Sequence, residues 1–182
     1  MNSVFTEKPM YEKTFPNKRF KHTIQFLEKH VAKTESILDL GVVNPFSEIM
    51  VKHGFSVKNT NGEDLDLDTS TIDKSDAKVI TAFEIFEHLL SPFTVLQSIK
   101  TDKLVASVPL KLWFSSAYRS KTDMLDRHYH EFEDWQFDWL LEKAGWKIID
   151  REKWTNPTKK LGIRPVLRWF TPRYYIIYAE RV

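Results

Sequence analysis

The chain has 182 residues, enough for one domain with a sizeable core. It contains no cysteine, which excludes disulfides, thiolate metal sites and thiol catalysis, and its net charge of +2 is too small to argue for nucleic acid. No apolar run approaches the ~20 residues of a membrane helix, and the N-terminus lacks a basic-then-apolar signal pattern, so a soluble cytoplasmic protein is expected.

Residues 1–17 are polar with two prolines and are predicted to form an irregular arm. From Arg19 to Val31, Phe20, Ile24, Leu27 and Val31 recur at helical spacing and predict an amphipathic helix. Ser36 to Gly41 is a short buried strand ending in Asp and Gly. Pro45 to His53 is a predicted helix, with Pro45 in its first turn and Gly54 as its stop. Phe55 to Thr60 is a second strand, closed by the turn Asn61-Gly62. An acidic stretch, Glu63 to Asp68, follows. Its Asp64, Asp66 and Asp68 alternate, and a solvated loop is the default reading. Residues 78–83 form a third buried strand.

Residues 91–100 are predicted as a short helix capped by Ser91, with Pro92 at its first position. Lys103 to Val108 is a buried strand closed by Pro109. Residues 110–130 are irregular and rich in aromatic and basic side chains. Glu131 to Ala144 is a helix with Phe132, Trp135, Trp139 and Leu140 on one stripe and Gly145 as its cap. Trp146 to Trp154 is a strand, residues 155–173 a basic loop with prolines, and Tyr174 to Glu180 the last strand. Strands alternating with helices predict a mostly parallel sheet covered on both faces. The last two strands, lacking an evident crossover helix, should pair antiparallel.

Several landmarks in order resemble the class I S-adenosylmethionine-dependent methyltransferases, in their small-molecule, ubiquinone-biosynthesis-type branch. Ile37-Leu38-Asp39-Leu40-Gly41 resembles the first strand and the start of its glycine-rich loop. Phe83-Glu84-Ile85-Phe86-Glu87-His88 resembles the segment after strand four, and Val105-Ala106-Ser107-Val108-Pro109 resembles strand five. His128-Tyr129-His130-Glu131-Phe132, followed by Trp139 to Trp146, resembles the stretch beyond it. The resemblance covers roughly residues 20–154. It implies a Rossmann-like α/β sheet, mostly parallel with an antiparallel last strand, in a single domain spanning 1–182. The implied activity is methyl transfer from S-adenosylmethionine to a small-molecule acceptor, with no nucleic acid, no membrane span and no metal.

The resemblance implies that Asp39, Gly41, Asn61, Glu63, Asp64, Phe83, Glu84 and Glu87 border the cofactor. His88 is the candidate base, because an imidazole titrates near neutral pH. Trp113, Arg119, Arg127, His128 and His130 are placed on the substrate side, where the arginines could pair with a carboxylate or phosphate. His128 and His130 could also share a metal, but such a site would need more histidines converging from elsewhere.

The chain departs from the family at two places. The glycine-rich loop reads Asp39-Leu40-Gly41-Val42-Val43-Asn44-Pro45, with Val43 and Pro45 where the second and third glycines would stand. A β-branched residue there resists positive φ and crowds a ligand. Asn61 stands near the expected ribose carboxylate, and too few residues follow it for a helix plus a crossing strand. Strand three is therefore expected to be very short or absent. The alternative reading is a catalytically inactive methyltransferase-like binding or scaffold module.

Overall fold

The computed structural model describes residues 17–124, 126–158 and 161–182. The predicted N-terminal arm lies outside them, apart from Asn17, which opens the first helix. In chain order the elements are α1 (Asn17–His30), β1 (Ser36–Asp39), α2 (Pro45–Lys52), β2 (Ser56–Asn59) and α3 (Ser70–Asp73). There follow β3 (Val79–Phe83), a 3-10 turn (Phe86–His88), α4 (Pro92–Ser98), β4 (Lys103–Pro109), α5 (Asp134–Lys143), β5 (Trp146–Thr155), α6 (Ile163–Phe170) and β6 (Pro172–Arg181).

The six strands form one sheet in the order β2-β1-β3-β4-β6-β5. β2, β1, β3 and β4 are parallel, and β6 runs antiparallel to both β4 and β5. Side chains of successive strand residues point to opposite faces, so each buried strand feeds two layers. Ile37, Val79, Val105 and Ile176 face a layer made with Phe20, Ile24 and Leu27 of α1 and Phe46 and Met50 of α2. Leu38, Ile80, Leu104 and Ile177 face the other layer, with Ile72 of α3, Val95 and Leu96 of α4, and Phe137 and Leu141 of α5. Such double cover requires continuous apolar strand runs, and that is what made them readable.

Among the described residues no strand lies between β2 and β3. The one-turn helix α3 fills that interval, and β2 is the sheet edge. The third strand, expected to be very short or absent, has no counterpart among the described residues.

Three local expectations are corrected. The loop predicted at 155–173 contains α6. Pro165 is tolerated there because it stands in the first turn, where amides lack intrahelical partners. In α5 the buried face is Phe137 and Leu141, while Trp135 and Trp139 are exposed, Trp139 by 64%. Ser91 does not cap α4 through its side chain. Its hydroxyl meets that of Thr94 at 2.7 Å, and the amides of Leu90 and Ser91 donate to the carboxylate of Asp66 at 2.7 and 2.8 Å.

Candidate functional site

Strand order reverses between β1 and β3: the chain leaves β1 toward β2 on one side and continues through β3 to β4 on the other. In open α/β sheets the crevice beyond the carboxyl ends of strands at such a switch point binds ligands. Here its walls are the loop after β1 (Leu40 to Asn44) and the segment after β3 (Glu84 to Ser91).

The β1 side is built around Asp39, which is buried at the strand end. Its Oδ1 accepts from Thr81 Oγ1 at 2.6 Å and its Oδ2 from Asn59 Nδ2 at 3.1 Å. Asn59 also donates to the Gly41 carbonyl at 3.1 Å, and the Gly41 amide donates to Thr60 Oγ1 at 2.8 Å. β1, β2 and β3 are thus laced together beneath the loop. Burial pushes the Asp39 carboxyl up to about 7, against the opposing hydrogen bonds from Thr81 and Asn59. Gly41 takes φ +113°, a conformation that other residues resist.

Beyond Gly41, Asn44 caps α2. Its Oδ1 accepts from the amides of Phe46 and Ser47, and Ser47 Oγ accepts from the Asn44 amide at 2.8 Å. With Pro45 lacking a donor, the first turn of α2 directs no spare amide at a ligand. Val42 and Val43 are exposed, and no hydrogen bond among the described residues uses their amides.

The stretch after β2 folds against this loop. Gly62, at φ +87°, lies so close to Val42 that an added Cβ would sit 2.7 Å from Val42 Cγ1. Gly62→Ala should therefore cost about 1–3 kcal/mol through strain and overpacking. Urea denaturation of the variant checks this; an unchanged midpoint would show that the two loops do not touch. Asn61 and Glu63 close this turn on themselves, the Asn61 amide donating to Glu63 Oε2 at 2.7 Å. Asp64 Oδ1 accepts from the Asp66 amide at 3.0 Å.

On the β3 side, Glu84 is the only non-glycine residue with positive φ (58°) among the described residues. Strain of this kind persists where the surroundings over-determine it, and such residues cluster at functional sites. Glu84 Oε1 accepts from Ser107 Oγ at 2.9 Å, and Oε2 pairs with Arg19 Nη1 at 3.2 Å, tying α1 to the strand end. Phe83 packs edge-on against Phe46 of α2. Glu87 is 1% exposed, and its Oε2 has no hydrogen-bond partner. Burial first, and then the Glu84 carboxylate, push the Glu87 carboxyl well above its usual range. A neutral acid can donate a hydrogen bond where a carboxylate cannot.

The long connection after β4 returns to this point. The amides of Tyr129 and His130 donate to the Glu87 carbonyl at 2.8 and 3.2 Å. His88 Nδ1 lies 3.0 Å from the Arg127 carbonyl oxygen, an acceptor only, so that nitrogen carries a proton. Nε2 is 3.7 Å from Glu87 Oε1. The His128 ring meets His88 edge-on, with centroids 4.7 Å apart, and lies against Tyr118. Burial, then His88 and Arg173, hold the His128 imidazole below its usual range. Ligand atoms of Glu87, His88 and His128 lie within 4.8 Å of one another. That grouping did not emerge from the sequence, which paired His128 with His130 instead.

Arg119, Arg127 and His128 line one open cavity of about 470 Å³, together with Tyr118, Lys121 and Tyr129. Trp113 lines a different one, about 420 Å³, with Leu110, Lys111, Glu133, Asp134, Lys153, Thr171 and Pro172. His130 turns away from both, toward the Leu90 carbonyl at 3.4 Å and onto the Phe132 ring. Arg19 was not singled out from the sequence, and Asp66 was read only as part of a solvated acidic loop. Each acts across dozens of residues, on Glu84 and on the start of α4, and no local pattern announces that.

No family model matches the chain, and no curated protein is significantly similar to it. Solved structures are. A SAM-dependent methyltransferase from Archaeoglobus fulgidus superposes with a TM-score of 0.62 at 14% identity, covering 91% of this chain and 94% of its own. The geranyl diphosphate C-methyltransferase of Streptomyces coelicolor A3(2), solved with Mg2+, geranyl diphosphate and S-adenosyl-L-homocysteine, gives 0.61 at 13% identity over 98% of this chain and 86% of that one. The [4+2]-cyclase SpnF gives 0.56 at 14% identity, over 89% and 81%. At these identities the likeness shows the fold: a mixed α/β sheet, mostly parallel with a reversed strand, of the class I methyltransferase type. A cyclase among these structures illustrates that the fold alone does not fix the chemistry.

Proposed function

We propose that the chain is an S-adenosylmethionine-dependent methyltransferase acting on a small-molecule acceptor. The observation that carries this reading is the convergence of Glu84, Glu87, His88 and His128 beyond β3, beside the strained strand end and across from the Gly41 loop. The residues present fit the donor. The exposed backbone of Val42 and Val43 would receive its amino-acid end, and the buried, unpartnered Glu87 Oε2 offers a polar contact on the opposite side. When bound, S-adenosylmethionine supplies a methyl group already activated on a sulfonium.

The protein's part is then to position and deprotonate the acceptor. His88 Nε2 would take the acceptor proton, while Nδ1–H on the Arg127 carbonyl holds the ring's orientation. Glu87 Oε1 lies 3.7 Å from Nε2 and would line the site as a neutral group. The basic cavity with Arg119, Lys121 and Arg127 suits an acceptor carrying a carboxylate or phosphate.

The second reading, an inactive binding module, is favoured by the β1 side. Asp39 is spent on Thr81 and Asn59, and Asn44 takes the first amides of α2. Calorimetric titration with S-adenosylmethionine and with S-adenosylhomocysteine separates the two. A micromolar dissociation constant is expected for both ligands. No heat at ~1 mM ligand would sink the enzyme reading in favour of the module.

A further inference from the structure

The helix α6 has no buried residue. Ile163, Val166, Leu167 and Phe170 fall at i, i+3, i+4 and i+7, the spacing of one helical stripe. In a soluble helix that stripe faces a core. Here it faces outward: Ile163 and Phe170 are each 81% exposed, and Val166 and Trp169 are exposed beside them. Arg164 and Arg168 project from the opposite side, and among the described residues neither guanidinium has an ion-pair partner. Lys159 and Lys160 precede the helix in sequence, and no Asp or Glu occurs anywhere from Lys153 to Ala179.

We propose that α6 is a docking element for an anionic phospholipid surface, lying in the interface with Ile163, Val166, Leu167 and Phe170 inserted and its arginines at the headgroups. An apolar stripe with aromatics on one side and only cations on the other is the pattern of interfacial helices. Cations beside an apolar stripe gain from the negative surface potential of anionic lipids. A second copy of the chain is a poorer occupant. Two such stripes meeting across a two-fold axis would leave Arg164 and Arg168 of each copy outside the contact, with no carboxylate of this segment to pair them. Nucleic acid is poorer again: Trp169 and Phe170 offer stacking planes, but Ile163, Val166 and Leu167 offer neither a stacking plane nor a hydrogen bond. No helix among the described residues is long and apolar enough to cross a membrane, so attachment would be to the surface.

The position of α6 gives the docking a consequence. It precedes β6 directly, and Tyr174 of β6 pairs with Pro109 at the carboxyl end of β4. The helix therefore stands at the sheet edge that carries His88 and the basic cavity, with the exposed Trp113 on the same edge. A protein docked through α6 would present that edge to the lipid. This goes beyond methyl transfer and requires no cofactor, so its failure and that of the enzymatic reading are separable.

The test is co-sedimentation of the full chain with phosphatidylcholine vesicles, with and without about 30% phosphatidylglycerol, at ~0.1 M salt. At least ~10-fold tighter binding to the anionic vesicles is expected. Ile163→Asp with Phe170→Asp should abolish it, and Arg164→Glu with Arg168→Glu should remove the preference for anionic lipid. Ile163, Arg164 and Phe170 are exposed and Arg168 is half-buried, and unchanged melting temperatures in the variants would exclude misfolding as the cause. Equal recovery with and without anionic lipid, or wild-type binding by either double variant, would overturn the proposal. So would a dimer in sedimentation velocity that the Ile163→Asp, Phe170→Asp variant dissociates, which would assign the face to a second copy.

Discussion

Asp39→Asn should leave the protein as stable as the wild type at about pH 3.5 and make it more stable by about 2–4 kcal/mol at pH 9. Burial raises the folded-state value of this carboxyl from 3.8 to about 7. A raised carboxyl binds its proton more tightly folded than unfolded. The associated stabilisation is complete below pH ~4 and lost as pH climbs through about 7, after which a buried charge must be carried. A rise of that size corresponds to at most about 4 kcal/mol. The amide suits the site without that charge. Its nitrogen can donate to Thr81 Oγ1, and its oxygen can accept from Asn59, the contacts that the protonated acid would also make. Acid-side losses from Glu28, Glu35 and Asp150, whose carboxyls are held low by lysine or histidine partners, are common to both proteins and cancel in the difference. Urea denaturation at the two pH values reads the result. Parallel pH profiles for wild type and variant would show that Asp39 is ionised throughout.

The same substitution bears on function. If Asp39 gripped the donor through its charge, Asp39→Asn should lose S-adenosylhomocysteine binding. If Asp39 instead braces the Gly41 loop through Thr81 and Asn59, binding should survive, because the isosteric amide keeps the brace.

What was legible in the sequence follows from where the forces are local. The parallel strands were readable because both faces are covered, which demands runs such as Val79-Ile80-Thr81-Ala82-Phe83. The missing third strand was readable because chain length is arithmetic. The choice between two apolar stripes of α5 was not. Trp135 and Trp139 form one, and Phe137, Leu141 and Ala144 another, both at helical spacing. Only the long-range packing against Phe86 and Tyr175 decides between them. For α6 the stripe was present, but Pro165 and the basic side chains argued for a loop, and nothing local says that an apolar stripe will be left uncovered. The site was half legible. Glu84, Glu87 and His88 stand together in sequence, whereas His128 reaches them only because the Tyr129 and His130 amides find the Glu87 carbonyl some forty residues upstream. The positive φ of Glu84 and its partners Ser107 and Arg19 leave no trace in the residue order.

Phe137→Ala should destabilise the protein by about 3–5 kcal/mol and loosen the candidate site before global unfolding. Phe137 is fully buried where α5 meets the sheet. Its ring centroid lies 5.7 Å from that of Phe86, 5.3 Å from Phe132 and 6.4 Å from Tyr175. Truncation removes the transfer free energy of the ring and leaves a cavity among aromatics too rigid to close it. Phe86 is the key neighbour, since it opens the 3-10 turn that carries Glu87 and His88. With its packing partner gone, that turn has less to hold the Glu87 carbonyl in place for Tyr129 and His130. Two signals should therefore separate. The urea midpoint falls, and hydrogen exchange at the Tyr129 and His130 amides accelerates by more than the global loss requires. Phe137→Leu, which keeps most of the volume, should cost about 1 kcal/mol and leave those amides protected. Faster exchange spread evenly over α1 and α5 in the alanine variant would mean that Phe137 stabilises the fold without specially bracing the turn. Exchange confined to the returning loop would place Phe137 as the packing support on which the geometry of Glu87 and His88 depends.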